Sequence, residues 1–551
     1  VDTVTGGPTD AGEQDTGADR PDIDGIDGID PDVYRHRWRI LLVLCLSLMI
    51  VMIANVSLNV ALPALARDLD ASGSALQWIV DSYALVFAGL LFTAGTLGDR
   101  FGRKRALQVG LVVFLAGAAV ATVAPSAAVV ILARVVMGAA AAFVMPSTLS
   151  ILTNVFPARE RGKAISTWAG VAAGGAAIGP VASGLLLEHF WWGSVFLINV
   201  PLIVLALVVG RRLVPESRDP EEGALDVPGA GLSIAGVGLL VFAIIEGPHA
   251  GWASGRTLGA LAGAAIALGA FLWRERTARR PMLDLGLFRD RRFSVGSAGI
   301  GLTYFAMFGA TFLVPQHLQL VLGHTPLASG LLFLPVPFVI LTVAPQVPRF
   351  VERHGPARVI PVGMGLVVVG LLVLSRLEVG SPLAMVFLVL VPMAAGVAIT
   401  GTPLTTLVMA SVPLGRAGVG SAMNDTSREL GGALGVAVLG SVVGSRFTSS
   451  LDPALAGLPA GAEAAAHGGL AGALGVAEGL PGPAGAELAD AARAAFVDGL
   501  SSAALVAAGL VLVAAVAARL LLPRPAGGPA AVPVAAPDDP GPEPEPATEA
   551  A

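Results

Sequence analysis

Fourteen separate runs of mostly apolar residues constrain this chain more than any other feature. A helix crosses the hydrocarbon core of a bilayer when about 20 consecutive residues are mostly apolar. Runs near 39–63, 79–98, 106–124, 127–147, 163–187, 194–214, 228–246, 256–273, 293–316, 327–347, 359–376, 382–410, 418–444 and 499–522 meet that criterion. Prolines and glycines inside them are tolerated, because neighbouring helices satisfy the backbone groups they free. Composition agrees: 54% of the 551 residues are hydrophobic and 13% are charged, against about 25% charged in a soluble protein. The fold class is therefore an all-α polytopic membrane protein. A lone cysteine, Cys45, excludes a disulfide framework and a cysteine-based zinc site. No basic stripe lies on a soluble domain, so nucleic acid is not an expected partner. Of 34 basic residues only Lys104 and Lys163 are lysines, a bias that points to a high-GC bacterial genome and a bacterial plasma membrane.

Lysine and arginine in short loops set orientation. Alternate loops read DRFGRKR (99–105), ARERGK (158–163), RRLVPESR (211–218), RERTARR (274–280) with RDRR (289–292), and RFVERHGPAR (349–358); the last of the set carries Arg416. The opposite loops hold only Arg67, Arg256, Arg376, Arg446 and Arg493, while Arg134 and Arg428 fall inside helices. Both termini are thus expected in the cytoplasm, which an even helix number allows. Residues 1–38 and 523–551 read as disordered tails, the first polar without a signal peptide's apolar core, the second Pro-rich and acidic. The outer loop 446–498 is Ala/Gly/Pro-rich. Its weakly amphipathic runs AGAEAAA and AELADAARAAF leave a short surface helix open, but low-complexity filler is the favoured reading.

An internal repeat organises the rest. Asp99-Arg100-Phe101-Gly102 follows helix 2, and Glu352-Arg353-His354-Gly355 follows helix 10. Helix 5 opens after Arg161 and reaches Gly179; helix 13 opens after Arg416 and reaches Gly435. Residues 39–214 read as one six-helix bundle and 292–522 as a second, with two inserted helices and their linkers at 215–291. Weak symmetry between halves marks transporters, with the substrate path at their interface.

Three motifs carry chemistry. In Gly95-Thr96-Leu97-Gly98-Asp99-Arg100-Phe101-Gly102-Arg103-Lys104-Arg105-Ala106-Leu107, Gly102 permits a tight turn and Asp99 can face a helix N-terminus or a basic partner. Arg100, Arg103 and Lys104 anchor the cytoplasmic face. The stretch resembles the loop signature G-x-L-x-D-R-x-G-R-K-x-x-L of the major facilitator superfamily. That resemblance implies a gating role, shared with Glu352 and Arg353, over a pure topology signal. On helix 4, Arg134 lies about 10 Å inside the outer end, where a charge needs a partner or a wet cavity. Leu132 to Gly138 resembles the family's R-x-x-Q-G motif, with Met137 in place of glutamine, and implies proton coupling; a structural ion pair is the alternative. On helix 5, Gly175, Gly179, Pro180 and Gly184 give close helix approach and a bend. They resemble the antiporter signature G-x-x-x-G-P-x-x-G-G, with Ser183 replacing one glycine, and imply an exporter.

Asn59-Val60-Ala61-Leu62-Pro63, Gln77-Trp78-Ile79-Val80-Asp81-Ser82-Tyr83 and Phe196-Leu197-Ile198-Asn199-Val200-Pro201 narrow the resemblance to the fourteen-helix EmrB/QacA-type drug:proton antiporter branch. The fold this implies is the major facilitator fold, two six-helix bundles plus two inserted helices. One departure stands out. The branch often has an acid on helix 1 five residues before the position of Asn59; here that position is Ala54, beside Asn55.

The acids left in the membrane are Asp81 on helix 2 and Asp425 and Glu429 on helix 13. Asp425 can reach Arg428 (i,i+3) and Glu429 (i,i+4). If Asp425 and Arg428 neutralise each other, Glu429 remains, about 16 Å into the helix. A carboxylate at that depth is costly to keep charged, as a proton carrier requires. Asp81, Arg134, Asp425, Arg428 and Glu429 are the coupling candidates; Asn55, Asn59, Trp78, Tyr83 and Asn424 are the substrate-path candidates. No Walker motif, metal-ligand cluster or nucleophile constellation is present in the sequence, so no enzyme activity, metal or cofactor is expected. The expected function is proton-coupled export of an amphipathic drug or antibiotic by a monomer. Export of a lipid or dedicated metabolite is the alternative, and a non-transporting membrane sensor is disfavoured.

Overall fold

A computed structural model describes residues 29–218, 226–278, 281, 283–412 and 417–522. Arg416 and the two tails up to 28 and from 523 lie outside the described residues. Fourteen of the described helices are long and apolar enough to cross a membrane. They are α1 (Pro31–Asp68), α2 (Gly73–Phe101), α3 (Arg103–Thr122), α4 (Ala127–Val155), α5 (Arg159–His189), α6 (Ser194–Leu213), α7 (Val227–Pro248), α8 (Gly255–Thr277), α9 (Arg291–Val321), α10 (Pro326–His354), α11 (Pro356–Leu374), α12 (Leu383–Ala410), α13 (Val419–Leu455) and α14 (Pro483–Leu521).

Two boundaries differ from the sequence expectation. Helix α1 begins at Pro31, inside the stretch 1–38 read as a disordered tail, because Asp30 accepts from the N–H groups of Asp32 and Val33 and proline suits a first helical position. The outer loop 446–498 is not filler. Helix α13 continues to Leu455, short helices span Ala460–His467 and Leu470–Gly479, and α14 starts at Pro483. Alanine favours helix wherever it occurs, and this segment is alanine-rich. Gly73 donates its N–H to Gly468 O at 2.7 Å, tying the short helices to the start of α2.

The packing repeats. In the first half α1 packs on α4, α5 and α6, α4 packs on α2 and α3, and α3 packs on α6. In the second half α9 packs on α12, α13 and α14, α12 packs on α10 and α11, and α11 packs on α14. The two signature turns match as well. Gly102 (φ +119°) and Gly355 (φ +76°) each end one helix and are followed at once by the next. Both donate their N–H groups back into the preceding helix, to Gly98 O and Val351 O.

The halves join through α5 with α10 and α2 with α13, pairs that the repeat relates. These joints lie at the end of the molecule away from Gly102 and Gly355. There the main chains touch: a Cβ on Gly184 would sit 2.6 Å from Pro326 O, and one on Gly330 would overlap Pro180 O. Gln77 donates to Val436 O and Ala437 O, each at 3.1 Å, and Gln319 donates to Val60 O at 2.9 Å. The inserted α7 and α8 pack on each other, and α7 also packs on both α2 and α13.

The Gly102 turn gives a stability test. Its backbone suits only glycine, and a Cβ would stand 2.6 Å from Glu216 Oε1. Gly102→Ala is expected to cost about 1–3 kcal/mol, read as a lower unfolding temperature of the detergent-purified protein. Gly162→Ala, in a helix with nothing within 4 Å of the added Cβ, should leave that temperature unchanged or slightly raised.

Candidate functional site

A cavity of about 240 Å³ lies between the halves. Three helices line it with the same spacing: Met52, Asn55, Val56 and Asn59 on α1; Tyr304, Met307, Phe308 and Thr311 on α9; Phe333, Val336, Pro337 and Ile340 on α10. Steps of three and four residues place each set on one helical face. Ala172, Ala176 and Pro180 of α5, Val80 of α2, Val397 of α12, and Arg428, Glu429 and Val436 of α13 complete the wall. Aligning Gly102 with Gly355 pairs Val80 with Phe333. Aligning Gly179 with Gly435 pairs Ala172 with Arg428 and Pro180 with Val436. The cavity thus sits on the axis relating the two halves.

Its charge comes from α13. Arg428 Nε is 3.3 Å from Glu429 Oε1, and Nη2 is 3.5 Å from Asp425 Oδ1. The guanidinium therefore sits between both acids, with the shorter contact to Glu429. Oε2 of Glu429 is buried and has no hydrogen-bond partner among the described residues. Asn424 donates weakly to Asp425 Oδ1 and accepts from Thr405 Oγ1 at 2.8 Å.

Arg134 is fully buried and makes no ion pair among the described residues. Its Nε donates to Ile79 O at 3.0 Å and its Nη1 to Ala54 O at 3.2 Å, and its Cζ lies 4.1 Å from the Tyr83 ring centroid. The structural ion pair weighed from sequence is thus replaced by main-chain carbonyls and a ring face, both adequate hosts for a guanidinium. Ala54, where the resembling branch carries an acid, supplies one of those carbonyls.

The loop after α2 folds back on its own half. Asp99 pairs with Arg103. Glu216 accepts from Lys104 N at 3.1 Å and lies 3.7 Å from Arg105 Nε; Ser217 O accepts from Arg103 N at 2.9 Å. Sequence reasoning missed Glu216. The available signal was one acid inside the basic stretch 211–218, placed where it can face the positive N-terminus of α3. Arg100 is exposed near Phe101, and Gly95 lies against Pro146 of α4. Glu352 and Arg353 are exposed and form no ion pair between described residues. On α5, Gly175 and Gly179 approach α1 at Met49, Met52 and Ile53, while Gly184 and Pro180 meet α10. One motif therefore packs within its half and across to the other.

Asp81 is completely buried, and neither carboxylate oxygen has a partner among the described residues. Of the substrate-path candidates, Asn55 and Asn59 line the cavity. Trp78, Tyr83 and Asn424 do not. The Trp78 ring packs on Phe242 of α7, 6.1 Å between centroids, because α7 covers that face of α2. Tyr83 lies under Arg134, and Asn424 is turned to Thr405 of α12. Sequence reasoning missed the aromatic stripe on α9, because both faces of that helix are apolar.

Comparisons with known proteins agree with this architecture. A family model described as Major Facilitator Superfamily matches residues 44–436. The chain is 38% identical over 484 residues to the multidrug efflux pump LfrA of Mycolicibacterium smegmatis, covering 87% of this chain and 95% of that one. It is 33% identical over 488 residues to the tetracenomycin C resistance and export protein of Streptomyces glaucescens, covering 87% and 91% of the two chains. Among solved structures, a bacterial homolog of the human lysosomal transporter Spinster, inward-facing and occupied, aligns with a TM-score of 0.62 at 18% identity. That match covers 88% of this chain and 97% of the other, and shows the shared fold.

Arg134 is the testable residue of this arrangement. A hydrogen bond from a charged donor contributes about 1.5–3 kcal/mol. Arg134→Gln is expected to lower stability by about 3 kcal/mol, measured as thermal unfolding in detergent. Arg134→Lys keeps the charge but loses the fork that reaches two helices, so it should recover less than half of that loss.

Proposed function

The chain belongs to the Major Facilitator Superfamily, and we propose that it exports amphipathic drugs or antibiotics in exchange for protons by alternating access. Its fourteen membrane-crossing helices and bacterial relatives make it a multi-pass plasma-membrane protein. The observation that carries the proposal is a cavity between repeat-related halves with a single buried acid, Glu429, in its wall. Aromatic and methionine side chains offer adaptable apolar contact, and Asn55, Asn59 and Thr311 offer hydrogen bonds.

In this reading Glu429 carries the proton. With Asp425 and Glu429 both ionised, the Arg428 cluster has one excess negative charge; a proton on Glu429 neutralises it. Loading a proton thereby removes the cavity's attraction for a cationic substrate and frees Arg428 to pair with Asp425. Asp81 is a second acid able to bind a proton, and Arg134 acts by positioning α1, α2 and α4. The basic loops favour both termini in the cytoplasm, and the end closed at Gln77 and Gly184 then faces outward. The turns at Gly95 to Lys104 and at Glu352 and Arg353 then serve as the inner gate. The protein works as a monomer and performs no enzymatic chemistry. The tetracenomycin exporter among its relatives favours a dedicated secondary metabolite as the second reading.

The test is dye efflux from preloaded cells. Wild-type export should collapse with a protonophore. Glu429→Gln should lose about tenfold or more in rate, as expected for a step that needs that group, while a neutral dye still binds in detergent at near wild-type affinity and a cationic dye binds more weakly. Protonophore-sensitive export that survives the substitution would move the proton site to Asp81 or Asp425.

A further inference from the structure

The cavity has two flanks, because two helix pairs join the halves. The repeat relates the α2–α13 flank to the α5–α10 flank, yet the structure treats them differently. On the first, α7 lies along the seam. Val241 and Ile245 of α7 are buried against Ala84 and Leu85 of α2 and Ala433 and Ala437 of α13. Ser441 Oγ of α13 donates to Ile244 O at 2.7 Å. Further along α2, a Cβ on Gly89 would overlap Ile234. The cavity residues of this flank, Val80 and Val436, are buried at 8% and 1% exposure.

The α5–α10 flank has no such cover. The two main chains touch at Pro180 and Gly330 and at Gly184 and Pro326. Beyond Pro180, toward the Gly102 end, the cavity-lining Ala172, Ala176, Val336, Pro337 and Ile340 are only partly buried. Ile178, Phe338 and Leu341 beside them are 51%, 70% and 54% exposed. No charged residue occurs on α5 between 164 and 187 or on α10 between 326 and 348. This mouth is apolar throughout and continuous with the cavity.

We propose that substrate enters the cavity sideways from the bilayer through the α5–α10 flank, and that α7 seals the opposite flank. The occupant is a membrane-dissolved amphipathic small molecule. The bilayer concentrates such molecules through their apolar surface. An uncharged mouth lets them pass without stripping an ion of water, whereas a charged lining would be costly at that depth. The proposal rests on the export reading and adds the route and the phase from which substrate is drawn. It also gives the inserted helices a role. They break the two-fold equivalence of the flanks, so that a single lateral entry remains.

The experiment uses the full chain in proteoliposomes, with Cys45→Ala as background and a maleimide tethered to a lipid as the probe. Ile340→Cys should be labelled, and Leu85→Cys, under α7, should not. An exported dye should slow labelling of Ile340→Cys roughly tenfold at about ten times its Kd, by occupancy. Val336→Cys repeats the measurement at a second position if Ile340→Cys does not fold. Trimming the seal with Val241→Ala and Ile245→Ala should make Leu85→Cys reactive. Equal labelling on both flanks, labelling on neither, or labelling at Ile340→Cys that dye leaves unchanged would overturn the lateral route. Proton-driven dye export by the background protein, measured in parallel, separates the two ideas: export with no protection sinks the route alone, and absence of export sinks the transport reading.

Discussion

The two halves meet where glycines let helix backbones touch. Gly184 meets the main chain at Pro326 and Gly330 that at Pro180, while Gly440 makes room for the Gln77 side chain, all at one end of the molecule. Inside a bilayer there is little hydrophobic gain in pressing helices together, so close van der Waals approach and main-chain hydrogen bonds must do the joining. Gln77 adds two such bonds to α13 carbonyls. These closest approaches lie at one end and leave the helices room to part toward the other, while nearer mid-helix Arg428 Nη2 reaches Met145 Sδ across the halves at 3.9 Å; the cavity and its flanks follow from that placement.

Charge is handled sparingly within this frame. Arg134 donates to the carbonyls of Ala54 and Ile79 and lies on the face of Tyr83, while its Nη2 has no hydrogen-bond partner among the described residues; the acids of α1, Asp32 and Asp68, lie at its two ends. Arg428 is held by two acids on its own helix. Among the described residues that line the cavity Glu429 is the one acid, and with both acids ionised one proton would bring the cluster from net negative to neutral.

Symmetry and its breaking act together. The stripes on α1 and α9, and the pairs Val80 with Phe333 and Pro180 with Val436, come equally from the two halves, while Val336, Pro337 and Ile340 of α10 have no counterpart on α2 in the wall. The charged residues break that equality, since α13 has Arg428 where α5 has Ala172. Helix α7 breaks it again on the outside by covering one seam. A dimer-like scaffold thereby acquires one chemical side and one open flank.

The amino-acid sequence by itself determined the fourteen spans, the paired turns at Gly102 and Gly355 and the depth of Arg134 and Glu429, because apolar run length, turn glycines and in-helix charges are local signals. It was misleading at 446–498, where alanine-rich helix and low-complexity coil share a composition. Tertiary structure alone decided which residues face the cavity. In a membrane helix the lipid-facing and core-facing sides are both apolar, so no amphipathic period separates them. Tyr304 and Phe308 are therefore not distinguished by sequence, Trp78 reads from sequence as a path residue although α7 covers it, and the link from Glu216 to the α3 N-terminus rests on a contact between residues far apart in the chain.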